Sequence, residues 1–257
     1  MTVVLVAGPA WSQTIDRSPT DNSSSSAPAV TTTSTFPRQG NAFSRLFGTT
    51  LSDLRQMPSK ENLLILGVAG LAAGMAHPSD DRVSTTFSGA SSLRSTFSPG
   101  QVIGGAATQM AAAIATKVIG NAIGNPKVAA LGSDLVRAQI LTQVVTQGIK
   151  FSVRRTRPDG TMYSFPSGHT ATSFATATVI QSHYGWKAGV PAYAFGSYVA
   201  LARMAWNRHH ASDVVMGAGL GIASARTVTM TVAGSKFNMG VQPQVGGASV
   251  NFTKVYK

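Results

Sequence analysis

The longest regular pattern in the chain lies at residues 127–150, which read KVAALGSDLVRAQILTQVVTQGIK. Apolar side chains recur there at spacings of three and four residues, at Leu131, Leu135, Ala138, Leu141, Val145 and Ile149. This period predicts a long α-helix with one buried stripe. It is the clearest element of a chain whose regular patterns are mostly helical.

Five other apolar segments complete the helical pattern. The segment Asn62–Ala76 is expected to end at His77-Pro78, because proline pushes the residue before it out of the α region. The segment Gln101–Ile123 is rich in Ala and Gly, which suits close contact between helices. The remaining three are His169–Tyr184, Val190–Ala205 and Asp213–Ala225. We predict an all-α fold, a bundle of about six helices with the functional site at one end.

The N-terminal region differs from this helical part. Val3–Ala7 is a short apolar run, and Ala10-Trp11-Ser12 follows with the small-x-small form of a signal-peptidase site. A truncated signal peptide is slightly favoured over a frayed tail. Residues 17–40 are rich in Ser, Thr and Pro and cannot bury enough surface to become ordered. Residues 1–40 are thus predicted to be a targeting remnant and a linker.

The C-terminal region is predicted to form a short β ribbon. Polar and apolar residues alternate at Thr227–Val232 and, less regularly, at Ser249–Tyr256, with turn signals between them. The expected organisation is therefore a linker at 1–40, a helical domain at 41–226 and a β-like tail at 227–257.

Composition limits the partners of the protein. The formal net charge is +12 and the pI about 10.6, which favours an anionic partner such as a phosphate ester, an anionic lipid surface or nucleic acid. The chain has no cysteine, so disulfides and thiolate metal sites are excluded, while a location in the cell envelope stays open.

The apolar segments do not read as membrane spans. A spanning helix needs about 20 mostly apolar residues. The apolar runs are shorter than this or are interrupted by Gln109, Lys117, Asp134, Arg137 and Gln143. The sequence therefore favours the buried helices of a water-soluble bundle over a polytopic membrane protein.

Two blocks of the C-terminal half can bind an oxyanion. In the first, Arg157 can hold two oxygens in a fork while Lys150 acts as a point charge. In the second, a turn at Ser167-Gly168 offers a hydroxyl and backbone N–H groups, and a helix beginning at His169 directs its positive end at an anion. His169 could then give a proton to a leaving oxygen.

The third block adds a nucleophile. His209 and Asp213 are four residues apart and lie on one face if Asp213 opens the last helix. A carboxylate on one ring nitrogen fixes the tautomer and leaves the other nitrogen free to attack phosphorus. Arg203, six residues before His209, would supply a third cation.

The three blocks together resemble a known family. Lys150 with Arg157-Pro158, then Pro166-Ser167-Gly168-His169, then Arg203 with His209 and Asp213, match in order and internal spacing the motifs of the type 2 phosphatidic acid phosphatase / vanadium-dependent haloperoxidase superfamily. The resemblance covers about 150–221 and extends through the helical pattern to residue 62. It implies a helical core, a metal-independent reaction and a phosphohistidine intermediate.

The resemblance also implies residue roles. His209 would be the nucleophile, Asp213 its orienting partner, and His169 the acid and later the base. The phosphate-binding residues would be Lys150, Arg157, Ser167, Gly168 and Arg203. No metal and no cofactor is expected, except vanadate in the case of a haloperoxidase. One departure is Ala202, where the family often has Ser.

Other polar residues receive simpler interpretations. Arg154 and Arg155 lie outside the motif and are interpreted as surface or substrate-entrance charges. His210 is interpreted as an exposed neighbour of His209. A metal site is conceivable at His77, Asp80 and Asp81, but a polar loop at a helix end is favoured. The glycines at 217, 219 and 221 indicate close helix packing, since no strand precedes them.

The leading functional hypothesis is a metal-independent phosphatase acting on phosphate monoesters, with lipid phosphates or pyrophosphates among its substrates. A vanadate-dependent haloperoxidase and a non-enzymatic basic module, binding a membrane surface or nucleic acid, are the alternatives. The phosphatase hypothesis predicts a phosphorylated small-molecule or lipid partner, association with a membrane surface, and no nucleic acid. It places the protein in the cell envelope, periplasmic or membrane-associated, and leaves the oligomeric state open.

Overall fold

The computed structural model describes residues 42–233, 237–244 and 247–254, with side chains for 48–230. Its helices are α1 Ala42–Gln56, α2 Lys60–Ala76, α3 Asp80–Gly89, α4 Ser91–Phe97, α5 Pro99–Ile103, α6 Ala106–Ala122, α7 Pro126–Val153, α8 Gly168–Tyr184, α9 Trp186–Ala205 and α10 Ala211–Ala233. The all-α prediction is confirmed. The described part holds more helices than the predicted six. The helices α1 and the short α3–α5 were not predicted, because they lack a long apolar pattern.

The long helix α7 is the centre of the bundle, as its pattern predicts. It begins where the Asn125 side chain accepts hydrogen bonds from the N–H groups of Lys127 and Val128, at 3.1 and 3.2 Å. It ends at Val153, and the next residue, Arg154, adopts the left-handed conformation. The stripe is buried: Leu135, Ala138 and Leu141 belong to the main core, and Leu131, Val145 and Ile149 pack against it.

Two glycines bring α10 directly onto the start of α8. A Cβ on Gly217 would lie 2.6 Å from the carbonyl oxygen of Ser167, and one on Gly221 would lie 2.1 Å from that of Ala171. Any larger residue at these positions would force the helices apart. The interpretation of these glycines as packing residues is confirmed, and the contact fixes the Ser167 turn against the last helix.

The predicted end of α2 at Ala76 is confirmed, but its predicted cause is wrong, because His77 keeps an α-helical conformation with φ −54° and ψ −43°. The α2 helix ends at Ala76, but a 3-10 turn at His77–Ser79 leads straight into α3. Proline is tolerated there because Pro78 lies in the first turn of the new 3-10 segment, where its missing N–H is not needed.

This continuation produces a long apolar element. Lys60–Gly89 is the one helical stretch among the described residues that is long and apolar enough, by length and composition, to cross a membrane. Five large apolar side chains of α2 are exposed, namely Leu63, Leu64, Val68, Leu71 and Met75. The expectation that every apolar run is too short is therefore wrong for this segment.

The predicted helix Gln101–Ile123 is divided in two. The chain turns at Gly104 and Gly105 between α5 and α6, and a Cβ on Gly104 would lie 2.3 Å from the Val199 side chain. The break places α5 against α9 and brings Gln101 to the end of the bundle that holds Arg203.

The C-terminal tail is a separate unit with two strands. β1 (Phe237–Gln244) pairs antiparallel with β2 (Gly247–Lys254), with Val241 opposite Val250. The interpretation of Thr227–Val232 as a strand is wrong, because these residues continue α10 to Ala233. The predicted N-terminal signal remnant and linker lie outside the described residues.

Candidate active site

The three sequence blocks meet at one end of the bundle. Lys150 lies in the last turn of α7 and Arg203 in the last turn of α9. The Ser167 turn opens α8, and Asp213 lies in the first turn of α10. The C-terminal ends of α7 and α9, which carry these two cations, thus lie beside the N-termini of α8 and α10. The partial positive charge of a helix N-terminus also favours an anion.

The Asp213 side chain accepts three hydrogen bonds in the site. Its side chain is fully buried. Oδ1 accepts a hydrogen bond from Arg155 Nη1 at 2.8 Å, and Oδ2 accepts from the backbone N–H of His210 at 2.9 Å and from the Ser164 hydroxyl. Although burial acts to raise the pKa of Asp213, the neighbouring His209 and the hydrogen bonds from Ser164 and the His210 N–H hold it below its ordinary value. The carboxylate is therefore charged at neutral pH.

His209 lies beside this carboxylate in a dry environment. It is 2% exposed, and its Nδ1 lies 3.6 Å from Asp213 Oδ2, longer than a hydrogen bond. Among the described residues, that nitrogen has no hydrogen-bond partner. Burial lowers the pKa of His209 to about 3, with Asp213 opposing the shift and Lys150 adding to it. The ring is neutral at pH 7, the state that a nucleophilic imidazole requires.

His169 stands at the N-terminus of α8. Its Nε2 lies 3.2 Å from the carbonyl oxygen of Gln101, which favours the tautomer with the proton on Nε2. Burial, together with the positive charges of Arg203 and Arg157, lowers the pKa of His169 to about 4. An anion bound among these cations would offset their charge and raise this pKa, so that the ring could carry the proton that a leaving oxygen needs.

The predicted cations are buried to different degrees. Lys150 Nζ donates to the carbonyl oxygens of Tyr163 at 2.6 Å and Ser164 at 3.2 Å, which leaves one of its three donors. Burial and the charge of Arg157 lower the pKa of Lys150 to about 8. Arg203 Nη1 donates to the Gln101 side-chain oxygen.

Two guanidinium nitrogens at this end are buried without a partner in the described part of the chain. They are Arg157 Nε and Arg203 Nε. A buried donor left without an acceptor costs about 1–3 kcal/mol, so such donors usually point to a ligand or a functional role. Both belong to residues predicted to bind phosphate, whose oxygens are strong acceptors.

The Ser167 turn is held by its own neighbours. Its hydroxyl accepts a hydrogen bond from the Thr170 hydroxyl at 2.9 Å, and its N–H donates to the backbone oxygen of Asp213 at the same distance. The Ser167 amide is therefore engaged in joining α8 to α10. Gly168, the first residue of α8, leaves room around its Cα, with the Thr146 side chain 3.6 Å from a hypothetical Cβ.

Arg155 is a site residue that sequence reasoning missed. Its interpretation as a surface or entrance charge is wrong, because it bonds to Asp213, to the Ser212 hydroxyl and to Asp80. Arg154, by contrast, is exposed as predicted, and its Nε donates to the Phe151 carbonyl of the preceding helix. The alternation Arg-Thr-Arg at 155–157 was the available signal, since it places two arginines on the same side of an extended segment.

Asp80 and His210 also differ from their predicted interpretations. Asp80 is not part of a solvated loop, since it is 2% exposed and accepts hydrogen bonds from the N–H and hydroxyl of Ser212. His210 is buried rather than exposed, with its ring nitrogens near the Ser84 hydroxyl and the Thr156 carbonyl. Within the described ranges, no cluster of three or more His, Asp or Glu side chains is placed to hold a metal ion.

Fold and site together define an all-helical domain with a histidine–aspartate pair and buried cations at one end. Residues 132–236 match the model of the PAP2 superfamily. The resemblance to the type 2 phosphatidic acid phosphatase superfamily that the three blocks predict is thus confirmed over this part of the chain.

A curated relative matches part of the chain. The chain is 44% identical over 96 residues to the lipid A 1-phosphatase of Porphyromonas gingivalis. The match covers 36% of this chain and 21% of the relative, so the chain matches about a fifth of the relative's length.

A solved structure shares the fold. The chain resembles a transmembrane PAP2-type phosphatidylglycerolphosphate phosphatase from Bacillus subtilis, with a TM-score of 0.58 and 16% identity over 68% of this chain and 96% of the other. LpxE from Aquifex aeolicus matches over 58% of this chain and 93% of its own, with a TM-score of 0.49 and 20% identity.

Proposed function

We propose that this protein is a phosphatase that releases inorganic phosphate from a lipid phosphate monoester through a phosphohistidine intermediate. The observation that carries the proposal is the convergence of buried, unpartnered guanidinium donors of Arg157 and Arg203 with a neutral histidine beside a charged aspartate. Such a site can bind three phosphate oxygens and present a nucleophile to the phosphorus.

In the first step, a ring nitrogen of His209 attacks phosphorus while the bond from phosphorus to the alcohol oxygen breaks. His169 gives its proton to the departing oxygen, so that a neutral alcohol leaves. Asp213 stabilises the positive charge that forms on the ring of His209. Lys150, Arg157 and Arg203 offset the charge of the phosphoryl oxygens.

In the second step, His169 takes a proton from a water molecule, and the water oxygen attacks the phosphohistidine. The phosphorus–nitrogen bond breaks, and its electron pair returns to His209 as phosphate leaves. The steps use side chains of this chain and water, and we propose that no cofactor takes part.

Three observations support a lipid substrate and a place at a membrane of the cell envelope. The matched relative is named for its action on lipid A, and the similar fold from Bacillus subtilis is described as transmembrane. The exposed apolar side chains of α2 form a surface suited to acyl chains. The matched relatives are phosphatases, and nothing in the described residues favours a haloperoxidase or a nucleic-acid-binding module.

Phosphate release tests this function. We expect the full-length protein to release phosphate from lipid phosphate monoesters faster than from soluble ones, and His209→Asn to reduce the rate by several orders of magnitude, because the nucleophile is lost. His183→Asn is the matched control, since His183 lies at the other end of α8, where it pairs with Asp134 at 2.9 Å. A His209→Asn protein with full turnover would contradict the mechanism.

A further inference from the structure

We infer that Arg155 is a positioning residue for the histidine–aspartate pair: it holds the Asp213 carboxylate charged and oriented towards His209, and Asp80 holds Arg155 in place. This inference rests on the proposed function. It assigns a role to two residues, Arg155 and Asp80, that lie outside the three sequence blocks.

The geometry of Arg155 joins three elements. Nη1 donates to Asp213 Oδ1 at 2.8 Å and to the Ser212 hydroxyl at 2.7 Å. Nη2 donates to Asp80 Oδ2 at 2.8 Å and lies 3.2 Å from His77 Nδ1. A single guanidinium thus links the loop after α7 to α3 and to the first turn of α10.

Asp80 anchors this arrangement from the opposite side. Its Oδ1 accepts a hydrogen bond from the Ser212 N–H at 2.9 Å, and its Oδ2 accepts from the Ser212 hydroxyl at 2.5 Å. Asp80 therefore holds both the guanidinium and the backbone beside Asp213. With its partners in place, Arg155 has little freedom to turn towards a substrate.

The balance of charge among Asp80, Asp213 and Arg155 matters, because solvent screens buried charges weakly. The Asp80 and Asp213 side chains are 3% and 0% exposed, and that of Arg155 is 20% exposed. Removing Arg155 would leave two carboxylates with little solvent to screen them, which strongly favours protonation of one of them.

The two oxygens of Asp213 have separate tasks. Oδ2 is the oxygen that lies 3.6 Å from His209 Nδ1, while Oδ1 faces Arg155. A bond from Arg155 to Oδ1 restricts rotation of the carboxylate and keeps Oδ2 directed at the histidine. Without that bond, the described residues would hold the carboxylate through Oδ2 alone, by the Ser164 hydroxyl and the His210 N–H.

The expected effect on pH dependence has a definite sign. The charged or titratable groups around Asp213 are His209, Lys150 and Arg155, with Asp80 and His77 behind the guanidinium. Loss of Arg155 removes a cation from a buried acid, so protonation of Asp213 begins at higher pH. The acid limb of the rate profile should move upward in pH accordingly.

The test compares kcat and KM of the full-length protein on p-nitrophenyl phosphate, a soluble monoester, across pH. Arg155→Met should lower kcat roughly 10–100-fold, the size of effect expected when a residue that orients another active-site side chain is lost. KM should change little, and the acid limb of the rate–pH profile should move to higher pH. Arg155→Lys should recover part of kcat. Arg154→Met removes the neighbouring exposed charge and should leave kcat unchanged.

A double variant separates charge balance from misfolding. Adding Asp80→Asn to Arg155→Met removes the second buried carboxylate, so the double variant should be more active and more thermostable than Arg155→Met alone. A rise in KM at constant kcat, an unmoved acid limb, or no recovery in the double variant would overturn the positioning role. A wild-type protein that releases no phosphate from any monoester would instead overturn the proposed function itself.

Discussion

At the scale of single residues, the candidate site is centred on a buried histidine, His209, that lies 3.6 Å from a buried carboxylate, Asp213. The five-residue gap after Arg203 and the three-residue gap before Asp213 select His209 over His210, and the structure places His209 beside Asp213. Asp80 bonds to Arg155 across 75 positions of the chain. No local pattern encodes such a contact, because it depends on how the fold brings the start of α3 to the loop after α7.

Lys150 carries a residue-scale prediction about alkaline pH. Burial and the charge of Arg157 lower its pKa to about 8, while Asp213 opposes and Arg203 adds to the shift. Lysine is charged below its pKa, so kcat/KM for a phosphate monoester should fall as the pH rises through about 8. Lys150→Arg keeps its charge throughout and should lose this alkaline limb, even at a lower overall rate. Identical alkaline limbs in rate–pH profiles of the two proteins would refute the role of Lys150.

At the scale of helices and turns, periodicity predicts the central helices well and their ends less well. The stripe of α7 identifies a helix whose buried face matches the prediction. Thr227–Val232 alternates as a strand does, yet it is helical, because packing of α10 in the core overrides the preference of Thr and Val for strands. Pro78 is a second example, since its position within the 3-10 turn decides whether it ends the helical segment.

The close contact between α8 and α10 gives an element-scale prediction. In Gly221→Ala, the new methyl group would lie 2.1 Å from the Ala171 oxygen, which should cost about 1–3 kcal/mol of stability and displace Asp213 from the Ser167 turn. Gly148→Ala is the matched control, because nothing lies within 4 Å of its Cβ and alanine favours a helix by about 0.5–1 kcal/mol. Thermal unfolding and phosphate release measure both effects. Equal stability of the two variants would show that the contact is not tight.

At the scale of the whole molecule, the helical class and the resemblance to the family can be predicted from the sequence, whereas the surroundings of the site cannot. Interrupting charges such as Asp134 and Arg137 argue for a water-soluble bundle, but both are largely buried in an ion-pair network with Asp53 and His183. The apolar side chains of α2 are instead exposed. Hydropathy along the chain cannot distinguish these cases, because it does not record which face of a helix is covered.

The central claim is that His209 accepts the phosphoryl group, and trapping the intermediate tests it most directly. Wild-type protein is mixed with a phosphate monoester, quenched in alkali within one turnover, and digested for mass spectrometry. We predict one added phosphoryl group on the peptide containing His209, absent in His209→Asn. A phosphoryl group on a different residue, or rapid turnover with an unmodified His209 peptide, would contradict the account.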